Sequence, residues 1–382
     1  MSTTCPGRSS VNSRRPAERA LLALPAGLCL VAGIDAGLGL LRAWPPVPSA
    51  RLGEVHGILM VAGFIGTLIA LERAVAWGRR AGYLAPALLG LGGLLLILHG
   101  SATAQAAGTL LPAGALALCL LYVPLWRRQR DDAVLVSSLG AVSLLGGLVL
   151  WRGGVDTALA VPWLVGFVVL TIAGERLELA RFGMTPAAAR VLVLLGFSMA
   201  WAVVVVTLWP RVGAALLGGT LLGLAGWMLA HDVARRTARS SGLPRFAGWC
   251  MLSGQAWLAV AGAAWLAVGP VAAGPAYDVV VHAVFLGFAM SMILAHAPTI
   301  LPAVARVDLP YRTAMWAPWV LLQASLLLRL WVGDALDAEW ARRVGGLGNA
   351  LAVALFLVVT VGSVVMEART GRRQRRVQAG AR

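Results

Sequence analysis

The chain has five histidines, His56, His99, His231, His282 and His296. Two of them stand in related settings. His56 sits in Glu54-Val55-His56-Gly57-Ile58-Leu59-Met60, after which bulky and tiny residues alternate through Gly63, Phe64 and Gly66. His282 sits in Tyr277-Asp278-Val279-Val280-Val281-His282-Ala283-Val284-Phe285-Leu286-Gly287. Imidazole is the commonest metal-ligating side chain. An ionisable group inside an apolar run is expensive enough to raise a functional question by default. A planar metallocofactor with two axial imidazoles needs them from opposite sides of its ring, and burial and ligand identity then set its potential. The pair that could do this must share a depth, so the elements carrying the histidines decide the matter.

Composition defines those elements. Of 382 residues, 59% are hydrophobic and 13% charged, against roughly 25% charged in ordinary soluble domains. Apolar stretches of bilayer length recur to the end of the chain, which makes it a polytopic membrane protein. The runs do not alternate polar with apolar, so they are helices rather than barrel strands. The fold class expected is all-α, with twelve transmembrane helices in one bundle. The spans are expected over 20–41, 54–77, 83–104, 108–126, 132–151, 157–175, 187–209, 212–231, 246–268, 277–304, 313–332 and 343–366. Residues 1–19 and 367–382 form basic tails.

The net charge of +16 comes from arginine alone, because the sequence holds no lysine. With the N-terminus in the cytoplasm, outward loops carry only Arg42, Arg51, Arg152, Arg211, Arg342 and Arg343, and the other loop arginines fall inward. That bias obeys the positive-inside rule and puts both termini in the cytoplasm. The first apolar run follows Arg14, Arg15 and Arg19 but is too long for a secretory signal core. The basic balance has no interleaved aromatic face, so nucleic acid is not an expected partner and membrane lipid is.

Topology gives each histidine a depth. His56 and His282 fall near the outward starts of spans 2 and 10, and His99 at the outward end of span 3. His231 and His296 fall toward the cytoplasmic side. His282 and His296 are 14 residues apart. On a regular helix that separates them by roughly 40° around the axis and about 21 Å along it, so they share a face but are either two sites or one site and one structural histidine. His56 and His282 therefore meet the depth requirement for a haem. Gly57, Gly63, Gly66 and Gly287 could leave room for a flat macrocycle. The ordinary alternative for each histidine is a hydrogen-bonded interfacial residue.

Other polar groups have plainer readings. Glu175-Arg176 could be a membrane-edge relay or a local ion pair ending span 6, and Glu72-Arg73 closes span 2 in the same manner. Asp35 should face protein with a partner such as an outer arginine. Gln105, Gln255, Gln323 and Asn349 suit interhelical hydrogen bonds. Trp44, Trp77, Trp126, Trp151 and Trp209 suit interfacial anchoring. Cys5, Cys29, Cys119 and Cys250 have no paired spacing. Abundant glycine, as in Gly33-Ile34-Asp35-Ala36-Gly37, suits close helix approach.

The histidine segments also carry a resemblance. His56-Gly57-Ile58-Leu59-Met60, followed by phenylalanine and glycines, resembles helix two of the haem-copper oxidase catalytic subunit. Val279-Val280-Val281-His282 resembles that family's tenth helix. Twelve spans and inside termini agree. The resemblance implies a low-spin haem, b-type, near the outer face, ligated by His56 and His282. It implies haem-propionate contacts from Arg342 and Arg343 in the last outward loop, with Arg329 as a second candidate. The departures matter too. The family's copper histidines belong on helices six and seven, and spans 6 and 7 contain none. Its tenth helix has two histidines one residue apart, whereas Ala283-Val284 follows His282 here. No oxygen-reducing centre is expected, though copper through His99 or His296 stays open.

The chain is more similar to NnrS-type haem membrane proteins, which implies a bacterial inner-membrane location and a role in electron transfer or nitric-oxide and denitrification chemistry. A small gas or a redox partner would accompany it. A competing expectation is a haem-free secondary transporter. Glu72-Arg73 with Gly78-Arg79-Arg80 resembles the acid-Arg…Gly-Arg-Arg signature of major-facilitator carriers, but the spacing is longer and no half-to-half repeat is visible.

Overall fold

The computed structural model describes residues 15–43, 45–47, 49–98, 100–180, 184–305 and 308–380. Twelve helices among them are long and apolar enough to cross a membrane. They are span 1 (Leu21–Leu40), span 2 (Ala50–Trp77), span 3 (Arg80–Ile97), span 4 (Ser101–Gln129), span 5 (Asp132–Arg152) and span 6 (Thr157–Ala180). The second half has span 7 (Pro186–Leu208), span 8 (Pro210–His231), span 9 (Gly242–Val268), span 10 (Gly274–Pro302), span 11 (Thr313–Ala335) and span 12 (Glu339–Arg369). No strand occurs among the described residues. The protein is an all-α polytopic bundle, and its apolar outer surface demands a lipid environment. Residues 1–14, Trp44 and His99, on which expectations rest above, lie outside the described residues, as do two of the inward loop arginines, Arg181 and Arg306.

Span limits differ from the sequence reading in two informative places. The break between spans 3 and 4 falls at Leu98–Gly100 and not at 105–107. Leu98 is extended, and Gly100 has φ +147°, a conformation glycine adopts without a Cβ clash. Span 12 begins at Glu339, so Arg342 and Arg343 stand in its first turns and not in a loop. Its helix continues to Gly380, beyond the expected tail boundary. Other ends follow ordinary capping. Ser49 Oγ accepts from the Leu52 N–H, Thr185 Oγ1 from that of Ala188, and Gly78 closes span 2 in the left-handed conformation.

Spans 2 and 6 are the most buried, and spans 7 and 12 the least. Neighbours in sequence pack side by side as 3 with 4, 5 with 6, 7 with 8, 8 with 9 and 11 with 12. Glycine makes several contacts possible. A Cβ on Gly93 would lie 2.6 Å from Cys29 Sγ and 3.0 Å from Gly63 Cα, which joins spans 1, 2 and 3. Gly218 and Gly262 press backbone on backbone between spans 8 and 9. This is how helices associate where lipid competes for apolar surface.

The inner polar residues do what was expected of most of them. Gln323 accepts from Trp257 Nε1 and donates to Ser291 Oγ, tying span 11 to spans 9 and 10. Asn349 reaches Ser325 across spans 12 and 11. Gln105 is exposed instead. Asp35 is buried, but Oδ1 accepts from the Val47 backbone N–H at 2.9 Å, so its partner is a returning loop and not an arginine.

Candidate functional site

Three spans change winding partway along their length or at their end. Leu59–Gly66 in span 2, Ala283–Met290 in span 10 and Leu328–Ala335 in span 11 are π-helical. Such wide turns break the regular hydrogen-bond ladder and are frequent at functional sites. Here they border one cavity of about 950 Å³. That lies near the top of the ~300–1,000 Å³ range of small-molecule sites. The inner halves of spans 2 and 10 pack together, while the cavity lies between the halves that carry His56 and His282. Met60, Phe64, Phe285 and Leu286 supply apolar walls.

Both histidines line this cavity. His56 Nδ1 is 2.7 Å from the Gly33 carbonyl of span 1. A carbonyl only accepts, so the proton is on Nδ1 and Nε2 keeps the lone pair. Gly37, one turn further along span 1, is small for a reason: a Cβ there would lie 3.1 Å from His56 Cε1. His282 Nδ1 lies 3.1 Å from the Asp278 carbonyl and 2.9 Å from Asp278 Oδ1. Its proton is likewise on Nδ1. Nε2 faces Arg329 NH2 at 3.5 Å, too long for a good hydrogen bond.

A charged rim adjoins His282. Arg329 grips Asp278 with both arms of its guanidinium, Nε to Oδ2 at 2.8 Å and NH2 to Oδ1 at 2.7 Å. Arg342 donates from Nε to Asp334 Oδ1 at 2.8 Å. All four line the cavity, as does Asn349. Asp334 Oδ2 is buried and accepts no hydrogen bond. Glycine again permits the approach of backbones, since a Cβ on Gly345 of span 12 would lie 2.6 Å from the Arg329 nitrogen.

A family model described as a domain of unknown function, DUF8744, matches residues 19–365. The chain belongs to the DUF8744 family. No curated protein and no solved structure matches it.

This DUF8744 chain thus brings together four of the residues singled out from sequence: His56, His282, Arg329 and Arg342. Arg343 is separate. It is exposed and pairs with Glu339 one turn earlier at 2.5 Å, because helical winding from Glu339 turns it away from its neighbour. His296 does not line the cavity, and its Nδ1 bonds the Met292 carbonyl at 2.6 Å. The two histidines therefore stand at separate places along span 10. A π segment, Ala283–Met290, lies between them. Among the described residues, no three His, Cys, Asp or Glu side chains converge as a metal-binding group.

The glycines also divide. Gly57 lines the cavity, but Gly63 abuts Cys29, Gly66 abuts Val61 O, and Gly287 abuts Trp257. Gly63 and Gly287 serve contacts between helices, and Gly66 sits against a carbonyl of its own π segment. Trp151, expected only as an anchor, lines the cavity.

Asp278 and Asp334 were missed as site residues. Asp278 carried a readable signal, an acid one helical turn before a histidine. Asp334 had none, because its place depends on the π turn.

At the opposite end of the bundle, the expected Glu175–Arg176 pair does not form. Arg176 is buried and faces Asp232 Oδ2 at 3.8 Å and Met251 Sδ at 2.7 Å. Glu175 turns to Arg73 of span 2 at 3.6 Å, which also holds Glu72 at 2.7 Å and Glu178 at 3.6 Å. Adjacency alone does not decide pairing: Arg73 reaches its neighbour Glu72, whereas Arg176 reaches Asp232 at the end of span 8.

Proposed function

We propose that this chain is an integral-membrane haem protein in which His56 and His282 hold one b-type haem. One observation carries the reading. Two imidazoles from non-consecutive spans line a single cavity of about 950 Å³, each with Nδ1 tied to a protein acceptor so that Nε2 is the nitrogen left to bind a metal. Metal-ligating histidines almost always donate their other nitrogen in this way. The apolar walls fit a macrocycle, and the arginines at the rim suit its carboxylates, guanidinium being the natural partner of that group. Bound there, haem would supply reversible one-electron chemistry.

Two axial imidazoles leave no open position on iron, so the residues favour electron transfer over direct gas binding. A role beside nitric-oxide or denitrification enzymes, as the likeness to NnrS-type proteins suggests, would then be as a redox partner. The arginine asymmetry supports placing the histidine end outward and both termini in the cytoplasm of a bacterial inner membrane.

Absorption spectra of the purified full-length protein test this. The expected result is a Soret band with sharp reduced α and β bands, lost in His56→Ala and in His282→Ala. A folded but colourless protein from haem-replete cells overturns the reading and favours a carrier. Pigment retained in both variants overturns the ligand assignment.

A further inference from the structure

The two imidazoles are held by different chemistry. His56 Nδ1 donates to a neutral backbone carbonyl at 2.7 Å. His282 Nδ1 has a carboxylate oxygen, Asp278 Oδ1, at 2.9 Å. That carboxylate is not free to swing, because the Arg329 fork holds both its oxygens at 2.7 and 2.8 Å. Arg329 is itself buried, fixed within the π segment Leu328–Ala335 and backed by Gly345 of span 12. Three residues from spans 10 and 11 therefore stand in series, guanidinium to carboxylate to imidazole.

We propose that Asp278 is a positioning residue that makes His282 the more electron-donating of the two ligands and so lowers the reduction potential of the bound haem, with Arg329 setting how much. The inference rests on the haem reading above. A carboxylate that accepts the Nδ1 proton pulls it partway off the ring and raises the basicity of Nε2, which a carbonyl does only weakly. The proton stays between Nδ1 and Oδ1, so the ring gains imidazolate character without losing its proton. Electron density on the ligand favours the ferric state, hence the lower potential. The Arg329 charge opposes this by drawing density back onto the carboxylate.

The same cavity holds its own control. Asp334 also lines it, pairs with Arg342 and lies against Asp278, but holds no imidazole proton. Replacing Asp334 by Asn removes a carboxylate beside Asp278 but leaves in place the Asp278 oxygen that accepts from His282. Redox titration and the ferric near-infrared charge-transfer band, which follows the imidazolate character of the axial ligands, are read on the full-length pigmented protein. Asp278→Asn should raise the midpoint and move the band, and Asp278→Glu should return both toward wild type. Asp334→Asn should raise the midpoint less and leave the band in place. Equal shifts in the two Asn variants with an unmoved band would reduce Asp278 to a bystander charge and overturn the inference, while the haem reading stands.

Where Asp278→Asn does not fold, Arg329→Gln serves. It keeps the carboxylate beside Nδ1 and removes the opposing charge, so the midpoint should fall and the band move the other way. An unmoved midpoint and band there overturn the inference equally. A colourless wild type, or pigment surviving both His56→Ala and His282→Ala, overturns the haem reading and this inference with it.

Discussion

Gly37 of span 1 lies directly against the ring of His56 of span 2, so close that a Cβ would stand 3.1 Å from Cε1. The Gly33 carbonyl one turn earlier fixes the same ring through Nδ1. Span 1 thus shapes the seat of a histidine it does not carry. Gly37→Val should displace the imidazole and cost about 1–3 kcal/mol through overpacking. The expected outcome is loss of most of the pigment with the helical circular-dichroism signal retained. Undiminished pigment would show that the ring has another place to go.

Arg342 and Arg343 are adjacent in sequence but not in role. Arg342 lines the cavity, and Arg343 pairs with Glu339 at the surface. Arg343→Ala should leave haem content and thermal stability unchanged, since exposed helical pairs contribute only about 0.3–0.5 kcal/mol. Arg342→Ala strips Asp334 of its partner, and haem content should fall several-fold. Haem-to-protein ratios of the two variants check this directly.

His296 is the useful negative. His296→Ala should keep the Soret band and its reduced α and β bands, because this side chain is tied to the Met292 carbonyl away from the cavity. A bleached His296→Ala protein would move the ligand assignment along span 10.

At the far end, Arg73 holds Glu72, Glu175 and Glu178 together. Removing one partner of a buried ion pair typically costs 3–5 kcal/mol. Glu178 is nearly half exposed and screened, so Arg73→Ala is expected to cost less, about 1–3 kcal/mol. It should lower the thermal midpoint in detergent while the visible spectrum of the surviving protein stays that of wild type.

The twelve spans were legible because hydropathy and arginine placement act over twenty residues at a time. The shared level of His56 and His282 followed from the same count. What escaped the sequence depends on single turns. Regular winding does not foresee the wide turn that lies between His282 and His296. Adjacency suggested Glu175 with Arg176, whereas tertiary neighbours, Arg73 for the one and Asp232 for the other, take each of them. Gly287 read as space for a cofactor because a sequence does not reveal that Trp257 already occupies it. The Asp278–His282 spacing was visible and carried its meaning only once Arg329 arrived from span 11.

The wide turns in spans 2, 10 and 11 have a consequence for reading other members of the family. Each π segment accommodates one residue more than ordinary winding would, at little cost to the helix beyond it. A relative lacking a single residue within 59–66 or 283–290 would still thread the bilayer and keep its apolar face below the gap. Its histidine, however, would swing by more than a quarter-turn off the cavity. One-residue gaps in those two stretches are thus a marker by which members without the histidine site can be sorted from those that have it, even where the histidines themselves are present.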